Sequence, residues 1–478
     1  MNTRFTSIIG FPGCKRGNVT NTSPTHKTPD TAGLTRRIAV NPIVHPGTIV
    51  NGRHRPRSPL RCRSVSGLAL LGTVATLLCL QASPALPAEI EKGATILMRP
   101  NPTNNGLPSE RQIPELNALL AAKAALPEKI VRVATFRPNE PTVQITVHQI
   151  GSGTNPCILV PIHGVLANCE SWRYTAGALG SDFDLWIVDL PGCGESDKPD
   201  PKTLAADGYS PGAMAERVMQ AIEQCLKARK DSPHLMLVAH SLGGMIVLRM
   251  TSDPELRQRH AALLRQVDGL VLFAPCDVSV NQEIKSLAAI IKLTGVKVRI
   301  GKALGIIREA VAKSIVDGFA IPHRATKETA DQRFQILINA EQRRATQAII
   351  RGAVPWNYKE NRPDWDRIHE LEANYRNVDK PCLIVWGACD EVLPESMGHK
   401  LADQIAGAKL VVLPDCMHAL ALECPDKCAQ LIRDFHARVL AARSNRAASN
   451  QNPDERLFLG AGAFNSSMQQ ETGGALLS

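Results

Sequence analysis

Aromatic residues are scarce: ten Phe, five Trp and four Tyr make up 4% of the 478 residues. A surface that stacks nucleotide bases needs such rings, so their scarcity argues against a nucleic-acid partner. No glycine-rich phosphate loop of the P-loop type occurs, and Gly192-Cys193-Gly194 lacks the dinucleotide pattern and its acidic partner. Cys424 and Cys428 stand four apart, but no second pair completes a zinc site. Carboxylates are scattered, so no glycosidase pair can be named, and there is no internal repeat. These absences leave an expectation of no cofactor and no metal.

The formal charge of +10 is a property of one end. Residues 1–88 hold eleven Lys or Arg and a single acid, Asp30, which leaves 44 basic and 44 acidic residues for the remainder. Basicity confined to a leader is a targeting signal rather than a binding patch on the fold. Arg53, Arg55, Arg57, Arg61 and Arg63 precede an uncharged stretch from Val65 to Ala82, and small residues and prolines follow before Glu89. That order matches a secretory signal. A retained membrane anchor through residues 65–82 is the alternative, because the stretch approaches spanning length. Cys79 lacks the preceding small residue of a lipidation site. The expected location is therefore exported (periplasmic or secreted) or membrane-anchored.

The expected organisation starts with a basic, disordered leader over 1–64, which a mis-assigned start would also explain, and a signal or anchor over 65–88. A linker over 89–127 follows, interrupted by one helical patch, PELNALLAAKAAL. From Glu128 short apolar runs alternate with longer amphipathic segments, the pattern of a mostly parallel α/β sheet. Eight runs read as strands: KIVRVATF, TVQITVHQI, CILVPIHG, DLWIVDL, HLMLVAHS, GLVLFAP, CLIVWG and KLVVLPD. The first two form an antiparallel pair across the turn PNEP. The later ones are too continuously apolar for a sheet with one wet face, so helices should cover both sides. The core thus spans 128–277 and 381–444. Between its parts, 278–380 reads as helical throughout, and an insertion of that length is usually a functional lid. A disordered tail is expected over 445–478.

The chemistry concentrates at the ends of these strands. Val238-Ala239-His240-Ser241-Leu242-Gly243-Gly244 carries a serine from strand directly into helix, with Ala239 and Gly243 as the small residues two positions away on each side. Such a turn holds a serine in a strained backbone position, ready to act as a nucleophile. Pro161-Ile162-His163-Gly164-Val165 ends an earlier strand. A tetrahedral oxyanion needs two preorganised N–H donors, which Leu242 and Val165 can supply. Loop support is assigned to His163, Gly164, His240 and Gly243. His240 is too close in sequence to Ser241 to serve readily as its base. His418, after the last strand, can reach across as the base, with a carboxylate on its other nitrogen. Asp390, after CLIVWG, is the favoured acid, and Asp277, after GLVLFAP, is the alternative. Either choice keeps the chain order Ser, Asp, His.

These motifs resemble the α/β-hydrolase fold superfamily, in its serine-nucleophile branch with a helical cap after the sixth strand (esterase- and lipase-like). The resemblance runs from about Glu128 to Arg443. It is carried by Ile162-His163-Gly164, Asp189 through Asp197, His240 through Gly244, Trp386 through Asp390 with Pro394, and His418 through Glu423 with Pro425. Ala239 and Met417 stand where glycine is usual, and neither change removes a catalytic group. The resemblance implies attack of Ser241 on an acyl carbon, and a small-molecule acyl substrate, foremost a carboxylic ester. Acyl transfer, perhydrolysis and carbon–carbon cleavage use the same triad, and a non-catalytic binding protein is a further alternative. Thirteen cysteines in an exported chain permit disulfides. Cys389 with Cys416 is the expected pair, since an Asp390–His418 bond would draw their loops together, and Cys276 is a rival partner for Cys389.

Overall fold

The computed structural model describes residues 106–278, 290–357 and 359–451. Its centre is a sheet of eight strands: β1 (Glu128–Thr135), β2 (Val143–Ile150), β3 (Cys157–Ile162), β4 (Asp184–Val188), β5 (His234–His240), β6 (Val267–Phe273), β7 (Cys382–Gly387) and β8 (Lys409–Leu413). They lie in the order β1-β2-β4-β3-β5-β6-β7-β8. Strand β2 runs antiparallel to both β1 and β4, and the remaining neighbours pair in parallel. All eight expected strands are present, and Glu128 through Thr135 pair with Ile150 back to Val143 across the expected turn, where Asn139 adopts φ 61°.

Parallel strands covered on two faces must be apolar on both sides. Strands β3, β4 and β7 are buried at every position. Pro161 sits inside β3 without an N–H to give, and the β3–β4 ladder passes over it while pairing Leu159 with Leu185 and Ile162 with Val188. Helices Pro211–Lys227 and Leu242–Ser252 pack on one another, and Pro425–Gln451 packs against Arg173–Leu179. The last helix continues to Gln451, so residues 445–451 are helical where a tail was expected; residues 452–478 lie outside the described residues, as do 1–105.

Between β6 and β7 the chain forms helices Gly295–Ala303, Ile306–Asp317, Lys327–Ile338, Ala340–Gly352 and Trp365–Ala373. The expectation of helix throughout misses one feature. Trp356–Asn357 pairs antiparallel with Arg362–Pro363. Pro355 and Pro363 oppose helix continuation, and Asn361 at φ 50° reverses the chain. The inserted helices have their own apolar cluster, including Ile307, Val311, Ile315, Phe319 and Phe334.

The segment read as a linker is docked from Pro108 onward. Helix Pro114–Ala124 buries Leu116 completely against Tyr174 and Ile113, a contact worth about 1.5–3 kcal/mol. Ahead of it, Pro108 O accepts from Lys327 N at 2.9 Å, Ser109 Oγ donates to Glu328 Oε1 at 2.6 Å, and Arg173 Nε donates to Glu110 Oε2 at 2.9 Å. The N-terminal segment therefore clasps the core and the inserted helices together. Close approach depends on Gly177, where a Cβ would lie 1.9 Å from the Leu119 carbonyl oxygen. Gly177→Ala is expected to lower urea-unfolding stability by about 1–3 kcal/mol and to strip hydrogen-exchange protection first from residues 114–124. Unchanged protection there would show that the docking tolerates a methyl group.

Candidate active site

The end of β5 turns into helix Leu242–Ser252 within one residue, and Ser241 makes that turn at φ 53° and ψ −120°. A non-glycine residue at positive φ is strained and persists only where its surroundings impose it. Here Ser241 N donates to Phe273 O at 3.0 Å, and Ser241 O accepts from Cys276 N at 2.9 Å, so strand β6 grips the turn from the side. The helix start lies so close to β3 that a Cβ on Gly243 would stand 2.3 Å from Ile162 O. Leu242 occupies the first helical position, where its N–H has no partner within the helix.

The loop after β3 crosses directly above. A Cβ on Gly164 would lie 3.0 Å from Ser241 Cβ, which brings Val165, the next residue, to the serine's side. His163 is wholly buried. Its Nε2 accepts from Leu190 N at 3.1 Å, so Nδ1 carries the proton and donates to Gly164 O at 2.8 Å. Burial holds its pKa below the ordinary imidazole value, which keeps the ring neutral. His163 thus fastens the loop after β3 to the loop after β4. His240 serves a similar end. Desolvation, with a contribution from His418, holds its pKa down to about 3, and its Nε2–H donates to the His418 carbonyl at 2.7 Å. That bond ties the residue before Ser241 to the backbone of His418, and the two rings lie 4.9 Å apart.

His418 Nδ1 donates to Asp390 Oδ2 at 2.8 Å. The other oxygen, Oδ1, accepts from Val392 N at 2.8 Å and Leu393 N at 2.9 Å, so the carboxylate is aimed by its own loop. Asp277 lies elsewhere: its Oδ1 accepts from Tyr375 Oη at 2.8 Å and from Val278 N at 2.6 Å, and Lys400 Nζ reaches Oδ2 at 3.3 Å. Of the two acids considered from sequence, the structure brings Asp390 to the imidazole.

Two neighbours of this site had no role in it assigned from the sequence. Cys276 Sγ stands 3.7 Å from Ser241 Oγ, and burial pushes its thiol up to about 12, so it stays protonated. Glu423 is fully buried, accepts from Met417 N at 2.7 Å and Ile321 N at 2.9 Å, and so braces the histidine loop. Burial raises its pKa.

The expected Cys389–Cys416 disulfide is not formed. Cys416 is bonded instead to Cys424, eight positions along, so the bond brackets His418. The backbones of the expected pair do meet, with Cys389 N donating to Cys416 O at 3.1 Å. The Cys389 side chain, however, turns outward toward Pro414 O, and Cys416 faces the buried Cys424. Cys276, the rival, is a free thiol.

Residues 158–431 match the Alpha/beta hydrolase family, more than half of the chain. Monoacylglycerol lipase abhd6-A of Xenopus laevis is 25% identical over 302 residues, covering 62% of this chain and 80% of that protein. Monoacylglycerol lipase ABHD6 of Homo sapiens is 28% identical over 304 residues, covering 62% and 79%. Among solved structures, a bacterial membrane phospholipase A is 21% identical with a TM-score of 0.49, covering 69% of this chain and 91% of that one.

The contrast between the two acids can be measured. Asp390→Asn should keep the fold and reduce p-nitrophenyl ester turnover on the order of 10⁴-fold. Asp277→Asn should stay within about tenfold of the parent while lowering thermal stability, because a buried bonded carboxylate is lost; reversed severities would move the acid to the end of β6. Non-reducing peptide mapping should recover Cys416 joined to Cys424, with Cys389 open to alkylation. A Cys389–Cys416 peptide would contradict the arrangement described.

Proposed function

Because the chain belongs to the alpha/beta hydrolase family and is a hydrolytic enzyme, we propose that it cleaves a carboxylic ester of a single-chain lipid, such as a monoacylglycerol, through an acyl-enzyme on Ser241. The observation that carries this reading is the 2.8 Å bond from His418 Nδ1 to Asp390, beside a serine held at φ 53°. Asp390 fixes the tautomer that leaves His418 Nε2 free to accept a proton. Ser241 Oγ attacks the acyl carbon as Nε2 takes its proton. The carbonyl oxygen becomes an oxyanion received by the N–H groups of Val165 and Leu242. Collapse of this intermediate expels the alcohol, which leaves with the proton from His418. Water then repeats the sequence on the acyl-enzyme, releasing the acid and restoring the serine.

The lipid character of the substrate is supported by the inserted helices. Their apolar cluster packs against Leu166, next to Val165, and Ala419, next to His418. The insertion is therefore read as a cap over Ser241, spanning the expected 278–380. Of the apolar residues along its first helices, Ile290, Leu293, Ile307 and Val311 are buried, and Ile291 and Ile306 are half-buried. The half-buried pair are the better candidates for an acyl-facing wall. That the Xenopus and human relatives are monoacylglycerol lipases supports this substrate class. Export or anchoring is proposed on the basic-then-apolar order of residues 53–82, which lie outside the described residues. Among the described residues no helix is long and apolar enough to cross a membrane.

A fluorophosphonate should label Ser241 in the parent and leave Ser241→Ala unlabelled, and Ser241→Ala or His418→Ala should lose roughly four to six orders of magnitude in turnover. A panel of acyl donors with water and alcohol acceptors should show hydrolysis of monoacylglycerols ahead of acyl transfer. Robust labelling of Ser241→Ala at another serine would sink the assignment.

A further inference from the structure

A second group of reactive side chains lies away from Ser241, on the wall of a cavity of about 510 Å³. His148 comes from β2, Cys169 from the start of the helical turn after the β3 loop, and Asp189 from the end of β4. One donor atom of each lies within 4.8 Å of the other two. Asp189 is fully buried and His148 is 5% exposed, while Cys169 is half-buried at the cavity. Carboxylates of Glu128, Glu170 and Glu195 also line this cavity, against one lysine, Lys123.

The simplest alternative is a hydrogen-bonded chain, Glu128–His148–Asp189. Its distances are 3.3 Å from His148 Nδ1 to Glu128 Oε1 and 3.4 Å from Nε2 to Asp189 Oδ2. Both are long beside the roughly 2.7–2.9 Å of charge-assisted bonds. The chain also gives Cys169 no part, although its backbone N–H is bonded to Asp189 Oδ1 at 2.7 Å and its sulfur lies within 4.8 Å of the other two donors. Asp189 Oδ2 also accepts from Glu195 N at 2.7 Å, which leaves it a second lone pair for a ligand. Two donors on one tetrahedral zinc ion, at bond lengths of about 2.0–2.3 Å, stand about 3.5 Å apart. The His148–Asp189 separation already has that value. The sulfur, within 4.8 Å of both, must close by no more than roughly 1 Å to join them.

We propose that His148 Nε2, Cys169 Sγ and Asp189 Oδ2 form a binding site for a thiophilic divalent cation of the zinc type. A sulfur, an imidazole and a carboxylate suit zinc and disfavour magnesium and calcium. Binding releases the Cys169 thiol proton and leaves His148 neutral, with its Nδ1–H directed at Glu128. That outer carboxylate fixes the ring in the manner usual for histidine ligands. Water completes the coordination from the cavity side. The ion would join β2, β4 and the loop that bears Val165, so its effect is expected on stability before turnover.

The experiment uses the full chain, stripped with a chelator and dialysed against zinc chloride, then cobalt chloride. Elemental analysis should give one zinc per chain, with a melting temperature raised by several degrees. Cobalt should produce a thiolate charge-transfer band. Cys169→Ser should abolish that band and the melting shift. Glu128→Gln should weaken affinity by about 10–100-fold. Failure of the parent to retain zinc, cobalt binding without a thiolate band, or the same zinc-induced shift in Cys169→Ser would each overturn the site. The parent spectrum decides the matter even where a variant folds poorly.

Discussion

Ser241 sits at a backbone angle that its own side chain disfavours, and much of the molecule is arranged to keep it there. The strain is held by two bonds to the β6 segment, from Ser241 N to Phe273 O and from Cys276 N to Ser241 O. It also demands that the following helix start against β3, which explains why glycine stands at 243, where any Cβ would meet the Ile162 carbonyl. One local conformation thus fixes the spacing of β3, β5 and β6. The buried β-strands give this arrangement its stiffness, because close-packed interiors resist the small shifts that would relax the turn.

Histidines divide into two kinds around this centre. His163 and His240 are kept neutral by burial and act as fixed donors or acceptors to backbone groups. His418 instead faces a carboxylate whose second oxygen is held by two backbone N–H groups. The difference lies in the partners supplied by each loop. A carbonyl partner fixes a ring in place, whereas a carboxylate partner also stabilises the imidazolium that a proton transfer creates.

The sheet was legible because each strand is a continuous apolar run flanked by turn residues, and the β5–helix junction because Ser241 lies between a strand pattern and two glycines. The choice between Asp277 and Asp390 was not closed by sequence, since both follow a strand; it turns on Tyr375 and Lys400, which lie 98 and 123 residues from Asp277 and engage it. The disulfide was misread for a related reason. Backbone proximity of Cys389 and Cys416 follows from parallel β7 and β8, but side-chain direction does not, and Cys424 returns to Cys416 only because the histidine loop folds back through Glu423. The two-residue ladder at Trp356 was hidden by its length. His148, Cys169 and Asp189 are spread over three segments about 20 residues apart, with no short motif to unite them.

The clasp formed by Pro108, Ser109 and Glu110 bears on how the chain can be processed. These residues precede every strand, yet they bond to Lys327 and Glu328 in the insertion and to Arg173 in the core. Leu107 adds its side chain to the apolar cluster of the inserted helices. Proteolytic trimming that reaches Leu107 therefore costs the folded enzyme contacts. A maturation cut near residue 88 spares the clasp, whereas a cut beyond Glu110 removes one strap between core and insertion and leaves the others, such as Arg173 to Thr329 and Ile321 to Glu423, to hold them together.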